Sequence, residues 1–261
     1  MGTILDEIIA NKRVEIETHK RAIPISHIKN LCIGLPKGRS LKNVLLKSQT
    51  GIISEFKRKS PSKGMIHKDA NIEEIVKSYV KAGCSGISVL TDFKYFGGTI
   101  NDFKKARASV DVPLLRKDFI VDPYQLYVAK ALGADVILLI AAVLTLNEAY
   151  DLGELAHKLG MEVLLEIHTK KELEYISRFT DIVGVNNRNL KIFKTNIQNS
   201  LELAQKLPLD MVKISESGIK DVKSIKELKK AGFNGFLMGE TFMKENKPGE
   251  MLEKFIYEIK N

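Results

Sequence analysis

Charged side chains close several short apolar runs of this sequence. Glu55 and Lys57 end the first run, Lys117 follows the third, and Glu166 closes the otherwise apolar segment EVLLE. Carboxylates and ammonium groups held in one pocket can give and take protons, which is the chemistry of general acid–base catalysis. Because side chains alternate along a strand, Glu55 and Lys57 should project to the same side. These four residues are candidates for a proton-transfer site.

Two opposing effects act on the pKa values of Glu166 and Lys117. Their apolar neighbours favour the neutral forms, which would raise the pKa of the glutamate and lower that of the lysine. Mutual ion pairing would shift both pKa values in the opposite direction. The sequence leaves both outcomes open.

Two glycine-containing turns follow the last two apolar runs. Ser217-Gly218 precedes a helical stretch, and Gly239-Glu240 follows the eighth run. Glycine lets a ligand approach the backbone closely, and the N–H groups at a helix start bind phosphate. Two such turns on adjacent strands predict a phosphate-binding site.

The elements that would position these residues repeat along the chain from residue 51. Short β-branched runs, apolar almost throughout, are typical of strands buried on both faces of a parallel sheet, and amphipathic helical stretches separate them. Eight such units predict a closed (β/α)8 barrel of about 250 residues, with its chemistry at the carboxyl ends of the strands. The runs span 51–56, 86–90, 112–116, 135–140, 162–166, 181–186, 211–215 and 234–238, and the clearest helices 71–82, 146–158, 221–230 and 248–260.

An open doubly wound sheet is the alternative, but no glycine-rich nucleotide fingerprint follows the first run. The first 48 residues differ from the rest, because Ile4, Leu5, Ile8 and Ile9 recur at helical spacing ahead of the repeats. We therefore expect an α/β protein of one domain, with residues 1–48 as an N-terminal helical extension and 49–261 as the barrel.

The net charge of +9 favours an anionic partner, and the positions of the basic residues along the chain indicate which kind of anion it is. Aromatic residues are not interleaved with the basic runs, which argues against single-stranded nucleic acid. The basic run at 57–64 is better explained as a loop over an anionic substrate. No apolar run is long enough to span a bilayer, so no membrane partner is expected, and the two cysteines suggest a reducing cytoplasm. The five histidines show no metal-ligand spacing.

Six segments resemble the indole-3-glycerol-phosphate synthase family, in the expected order and mostly at the ends of the predicted strands. The longest match is 22 residues. They are SEFKRKSPSKG at 54–64, LTDFKYFGG at 90–98, LLRKDFIVDPYQLYVAKALGAD at 114–135, LLEIH at 164–168, VGVNNRNL at 183–190 and SESGI at 215–219. The resemblance implies ring closure of 1-(2-carboxyphenylamino)-1-deoxyribulose 5-phosphate with loss of carbon dioxide and water. It implies no cofactor and no metal.

The resemblance also implies roles for individual residues. Lys117 is similar to the family's general acid and Glu166 to its general base. Lys57 is similar to the lysine that holds the substrate's anionic groups and is a candidate for a second acid, and the sequence leaves open which lysine protonates which intermediate. The remaining implied positions are Glu55, Asn186 and Glu216, which orient the lysines and sugar hydroxyls; Arg188 and Ser60 as substrate contacts; Ser217, Gly218, Gly239 and Glu240 around the phosphate; and Phe96, Phe119 and Leu138 as the wall around the aromatic ring.

Two positions depart from the family pattern. Asn189 stands where an aspartate is usual, and Glu240 stands where some members have serine, so a carboxylate lies at the expected phosphate site. The alternative enzymes are phosphoribosylanthranilate isomerase, which would need a cysteine on the first strand, and a metal-dependent sugar-phosphate epimerase, which would need clustered His and Asp. A basic nucleic-acid-binding barrel is the non-enzyme alternative. We expect a small phosphorylated substrate, no nucleic acid, and a monomer or weak homodimer.

Overall fold

Eight parallel strands form a closed barrel in the computed structural model, which describes residues 3–188 and 194–261. Each strand pairs with its neighbours in sequence, and the last pairs with the first through Ile53 and Leu237, which closes the sheet. The predicted barrel is thereby confirmed. The strands are β1 (Ile52–Phe56), β2 (Gly86–Leu90), β3 (Leu114–Lys117), β4 (Val136–Ile140), β5 (Glu162–Ile167), β6 (Ile182–Asn186), β7 (Val212–Glu216) and β8 (Gly235–Met238).

Helices connect these strands on the outside of the barrel. The four clearest predicted helices are confirmed to within one residue at either end. Between β5 and β6 a short 3-10 helix, Lys170–Tyr175, stands in place of an α-helix. The α-helices are α1 (Ile4–Ala22), α2 (Ile25–Cys32), α3 (Leu41–Lys47), α4 (Ile72–Ala82), α5 (Phe93–Phe96), α6 (Ile100–Ser109), α7 (Pro123–Ala131), α8 (Leu146–Lys158), α9 (Gln198–Ala204), α10 (Val222–Lys230), α11 (Glu240–Met243) and α12 (Pro248–Lys260).

Local sequence explains where several helices begin and end. Asp122 accepts a hydrogen bond from the Tyr124 amide at 2.8 Å, and Pro123 occupies the first turn of α7. Gly83 ends α4 with φ 94°, a left-handed conformation that glycine adopts without steric cost. Such sharp boundaries fix where each following strand starts.

The barrel has two apolar layers. Inward-facing side chains such as Ile53, Leu115, Leu164 and Ile214 fill its interior, and a larger cluster packs between the strands and the helices. This burial on both faces explains why the strands read as nearly continuous apolar runs. It also makes the charged residues at the strand ends stand out, because most of the other strand positions are apolar.

Three helices, α1 to α3, precede the first strand. Helix α1 begins with a capping box, in which the Thr3 hydroxyl accepts from the Asp6 amide and the Asp6 carboxylate accepts from the Thr3 amide. Its residue Lys12 is 1% exposed and reaches the barrel. Within the described residues, no helix combines the length and the apolar character needed to cross a bilayer.

Candidate active site

A cavity of about 710 Å³ opens at the carboxyl ends of the strands. Every residue that the sequence analysis put forward for the site lines this cavity except Glu216, which lies beneath its floor and contacts Lys117. Side chains separated by more than a hundred positions in the sequence, such as Lys57 and Glu166, therefore meet in one pocket. The two lysines and Glu166 therefore converge on the same cavity.

Lys117 is the centre of this pocket. Its Nζ lies 2.5 Å from Glu216 Oε2, 3.8 Å from Glu55 Oε2 and 3.9 Å from Glu166 Oε2. Burial alone would lower the pKa of this ammonium, but attraction to the carboxylates, Glu216 most strongly, raises the pKa above its ordinary value. Of the two outcomes left open by the sequence, ion pairing prevails at Lys117.

Glu216 has the most unusual environment of the group. It is 0% exposed, and its Oε1 has no hydrogen-bond partner. Burial raises the pKa of this carboxyl to about 7, with Glu166 and Glu55 acting in the same direction and Lys117 opposing them. The group can therefore change its protonation state near neutral pH.

Glu55 and Lys57 project to the same side of β1, as the alternation along a strand predicts. Lys57 Nζ donates to Glu55 Oε1 at 2.6 Å. Burial would raise the pKa of Glu55, but Lys57 and then Lys117 outweigh it and lower the pKa below its ordinary value. Glu55 is thus held as a carboxylate between the two lysines.

Asn186 positions the carboxylate of Glu166. Its Nδ2 donates to Glu166 Oε1 at 3.0 Å, and its Oδ1 accepts from the Arg188 amide at 2.9 Å. The same residue therefore links the end of β5 to the turn after β6. Arg188 in turn donates to Ser62 Oγ at 2.7 Å, across the mouth of the cavity.

The two glycine turns lie side by side at one end of the cavity. Ser217 has φ 65° and Gly218 has φ 76°, so the chain turns sharply after β7. The Thr241 hydroxyl donates to the Ile219 carbonyl at 3.0 Å and holds the two turns together. Near Gly239, Glu240 faces Lys63 at 3.6 Å, so the carboxylate that departs from the family pattern has a cation beside it.

Aromatic and aliphatic side chains form the opposite wall. The rings of Phe96 and Phe119 lie 6.0 Å apart between centroids, close to Leu138 in the lining. Ile4, Leu5 and Ile8 of helix α1 complete this wall. The pocket thus has an apolar end suited to an aromatic ring and a glycine-rich end suited to phosphate.

Several lining or supporting residues were missed by the sequence analysis. Asn187 Nδ2 donates to Ser215 Oγ at 2.8 Å and to the Ser217 carbonyl at 3.1 Å, which anchors the first glycine turn. Its position beside Asn186 at a strand end was the available signal. Lys63 lies in the basic run that the sequence analysis placed over an anionic substrate. Other lining residues carried no such signal in the sequence: Ile140, Lys194, Thr195, Lys220 and Lys244. Asn189 lies outside the described residues.

The described residues contain no group of three His, Cys, Asp or Glu side chains arranged to hold a metal ion. The closed barrel, with charged side chains converging on a cavity at the carboxyl ends of its strands, defines the class of protein: a (β/α)8 barrel with the arrangement of a barrel enzyme.

Comparison with known proteins identifies the family. The family model for indole-3-glycerol phosphate synthase matches residues 5–255, so the chain belongs to the indole-3-glycerol phosphate synthase family. The synthase of Bacteroides thetaiotaomicron is 54% identical over 99% of this chain and 100% of its own length. That of Polynucleobacter asymbioticus is 39% identical over 97% of this chain and 99% of its own.

Solved structures with low sequence identity support the fold. A thiamine phosphate pyrophosphorylase from Pyrococcus furiosus has a TM-score of 0.60 at 13% identity, covering 83% of this chain and 100% of its own. A chain of the tryptophan synthase complex from the same organism has a TM-score of 0.58 at 16% identity, covering 80% of this chain and 97% of its own. The function follows from the family: a decarboxylating lyase that forms indole-3-glycerol phosphate in tryptophan biosynthesis.

Proposed function

We propose that Lys117 is the general acid and Glu166 the general base of ring closure and dehydration. The supporting observation is the geometry of the Lys117 amine, which shares one cavity with Glu166 and lies 3.9 Å from it. A proton accepted by Glu166 can therefore return to the lysine. Glu55, Asn186 and Glu216 orient these two groups through the contacts described above.

The substrate's two anionic groups and its aromatic ring match different parts of the cavity. In this proposal Lys57 and Arg188 attract the carboxylate, and Ser60 is a polar contact beside them. The phosphate lies against Ser217, Gly218, Gly239 and Glu240, and the anthranilate ring lies against Phe96, Phe119 and Leu138. Backbone N–H groups at the glycine turns are suited to phosphate.

The proton balance of the reaction requires both a proton donor, Lys117, and a proton acceptor, Glu166. The ring carbon that carries the carboxylate forms a bond to C2′, and the carbonyl oxygen takes a proton from Lys117. The carbon–carboxylate bond then breaks, its electron pair restores the aromatic ring, and carbon dioxide leaves. In the dehydration, Glu166 takes a proton from C1′ while the C2′ hydroxyl takes a second proton and leaves as water. General acid–base catalysis of this kind contributes typically ~10²–10⁴-fold.

Indole fluorescence tests these roles directly. Purified protein should convert the anthranilate-type substrate into a fluorescent indole product, and Lys117→Ala and Glu166→Gln should each lower kcat by about 10²–10⁴-fold. Lys158→Ala, which alters an exposed ion pair with Glu154 on α8, is the control and should keep the full rate. Full activity in either pocket variant would remove its assigned role.

We also propose that the chain acts as one domain, with 1–48 as an extension of the 49–261 barrel, and as a cytoplasmic monomer or weak homodimer. Contacts from Lys12 to the barrel support the single domain. Sedimentation over a range of concentrations would measure the oligomeric state. Binding of nucleic acid at 0.1 M salt would contradict the expectation that the basic mouth serves a small substrate.

A further inference from the structure

His168 lies next to the carboxylate assigned as the general base and has no part in the mechanism so far. It follows β5 directly, and its side chain is 9% exposed. Its Nε2 lies 3.4 Å from Glu166 Oε1, and its Nδ1 lies 3.8 Å from Glu172 Oε2. Neither ring nitrogen has a hydrogen-bond partner. Buried polar groups are nearly always hydrogen-bonded, so two unpartnered nitrogens between two carboxylates require an explanation.

Glu172 is held in place on the side of His168 away from the cavity. Its carboxylate accepts from the amides of His168 at 2.5 Å and Thr169 at 3.3 Å, as the capping residue of the 3-10 helix. It is partly exposed, and it is not part of the cavity lining. Glu166, His168 and Glu172 therefore form a row from the pocket toward solvent.

The acidic and basic groups that face this row come from three places in the described part of the chain. Glu166 and Glu172 are the acidic side chains within 4 Å of the imidazole nitrogens, and Lys117 lies 3.9 Å from Glu166. Helix α9 contributes a neutral group, because Asn199 Nδ2 donates to the His168 carbonyl at 3.1 Å. The imidazole nitrogens thus lie between two carboxylates.

The reaction needs a proton from solvent in every turnover. The departing oxygen gains two protons to become water, and C1′ supplies only one of them. The carboxylate leaves as neutral carbon dioxide, so the second proton must be taken up from outside. Ile4, Leu5 and Ile8 of α1 line one side of the substrate pocket, and a bound substrate would occupy the space between the catalytic groups and solvent, so a side route for this proton is useful.

We propose that His168 is a positioning residue that passes this proton from Glu172 to Glu166, and from there to Lys117. Nδ1 takes up a proton beside Glu172, and the resulting imidazolium releases a proton from Nε2 to Glu166 Oε1. The ring is then neutral with its proton on Nδ1, and rotation of the ring about the Cβ–Cγ bond turns this N–H toward Glu166 for the next turnover. Histidine suits this task because each of its two ring nitrogens can either carry or accept a proton. The inference rests on the proposed role of Glu166 as the base.

Two conservative substitutions test the relay. His168→Asn keeps an amide donor beside Glu166 but cannot carry a proton, and Glu172→Gln keeps a capping acceptor but cannot exchange one. Each should lower kcat by about tenfold, less than loss of a group that contacts the substrate, with KM changed by less than about twofold. The solvent deuterium isotope effect on kcat should rise in both, and the double variant should be no slower than the single variants.

His157→Asn is the matched control, because His157 Nε2 also pairs with a carboxylate, Asp181 at 2.7 Å, but lies at the end of α8 away from the cavity. It should keep both the rate and the isotope effect.

Full kcat in His168→Asn and Glu172→Gln, with Glu166→Gln slow, would overturn the relay and leave the base assignment intact. An unchanged isotope effect beside a fall in kcat would also overturn it. If Glu166→Gln keeps its rate, the base assignment fails first. If His168→Asn does not fold, Glu172→Gln decides alone.

Discussion

Two lysines in this molecule each face three carboxylates, Lys12 between helix α1 and the chain that follows β2 and β3, and Lys117 inside the mouth of the barrel. Lys12 Nζ lies 3.0 Å from Glu15, Asp92 and Asp118. Lys117 Nζ has one close partner, Glu216 at 2.5 Å, and two near 3.9 Å. Lys12 is 1% exposed, whereas the side chain of Lys117 is 15% exposed and lines the cavity.

The difference lies in how the surrounding charge is balanced. Around Lys12, Glu15 is 36% exposed and its charge is screened by solvent, whereas the two buried carboxylates of Asp92 and Asp118 meet two cations, because Arg116 also donates to Asp118 at 2.9 Å. Burial would raise the pKa of Asp118, but Arg116 and then Lys12 outweigh it and lower the pKa to about 2. Such a matched cluster keeps its protons fixed over the whole neutral range.

Among the residues that the structure describes, the cluster at the mouth has fewer close cations than buried carboxylates. Glu55, Glu166 and Glu216 are all buried, Lys57 and Lys117 face them within 4 Å, and Arg188 attracts Glu55 from farther away. Burial, with repulsion from Glu166 and Glu55, raises the pKa of Glu216 to about 7. A cluster with equal numbers of buried carboxylates and cations holds its helix and loops together. A cluster with an excess of buried carboxylates leaves a proton available for chemistry.

Replacing each lysine with methionine should give the largest effects that distinguish the two clusters. Lys117→Met should lower kcat by about 10²–10⁴-fold with little loss of stability, because its carboxylates can take up a proton instead. Lys12→Met should destabilise the fold by about 3–5 kcal/mol, because it leaves buried carboxylates uncompensated. Denaturant unfolding and the fluorescence assay measure both. A Lys117→Met variant less stable than Lys12→Met would contradict the comparison.

The sequence predicted one of these clusters and not the other, for a physical reason. Lys117 ends an apolar strand, and strand ends of a parallel barrel meet, so its neighbours could be inferred from topology alone. Lys12 sits among charged residues of a helix and reads as a solvated side chain. Its burial depends on how α1 docks on the barrel, which no local pattern encodes. The pKa of Glu216 likewise depends on distances that only the folded chain sets.

Gly184 offers a smaller, steric way to disturb the cluster at the mouth. A methyl group at this position of β6 would overlap the Oε1 of Glu216, while the backbone there is not left-handed and tolerates alanine. We expect Gly184→Ala to displace the carboxylate from Lys117 and to lower kcat by up to about 10²-fold, the cost of a misplaced catalytic group. Gly153→Ala, which crowds Phe179 away from the cavity, is the control. Unchanged kinetics in Gly184→Ala would mean that Glu216 need not be held where it is.

The pH dependence of stability should separate the two clusters. Glu216 has an ordinary pKa of 4.5 when unfolded and about 7 when folded, so the folded state binds the proton more tightly between these values. Its contribution is therefore complete below about pH 4.5 and is lost as pH rises through about 7, by at most about 1.4 kcal/mol per pH unit.

Glu216→Gln should remove this slope, whereas Asp118→Asn should leave it in place, because a pKa of about 2 lies below the range tested. Urea unfolding at a series of pH values, taken as wild type minus variant, measures the difference. If the difference in unfolding free energy between wild type and Glu216→Gln stays constant from pH 4.5 to 7, the pKa of the Glu216 carboxyl is not raised in the folded protein.

The exposed pair of Lys63 and Glu240 extends the comparison to a site where solvent screens the charge. Its atoms lie 3.6 Å apart, and both side chains are more than one-third exposed, so the pair contributes only ~0–1 kcal/mol. Glu240→Ser removes a carboxylate from the proposed phosphate position and frees Lys63, so KM should fall by a few-fold at low salt and less at high salt. Glu250→Ser, which changes an exposed pair with Lys247 off the cavity lining, should leave KM unchanged. A higher KM in Glu240→Ser would mean that the carboxylate assists binding by holding Lys63 over the mouth. In that case even this exposed pair, the weakest of the three charge clusters around Lys12, Lys117 and Lys63, would position a group for catalysis.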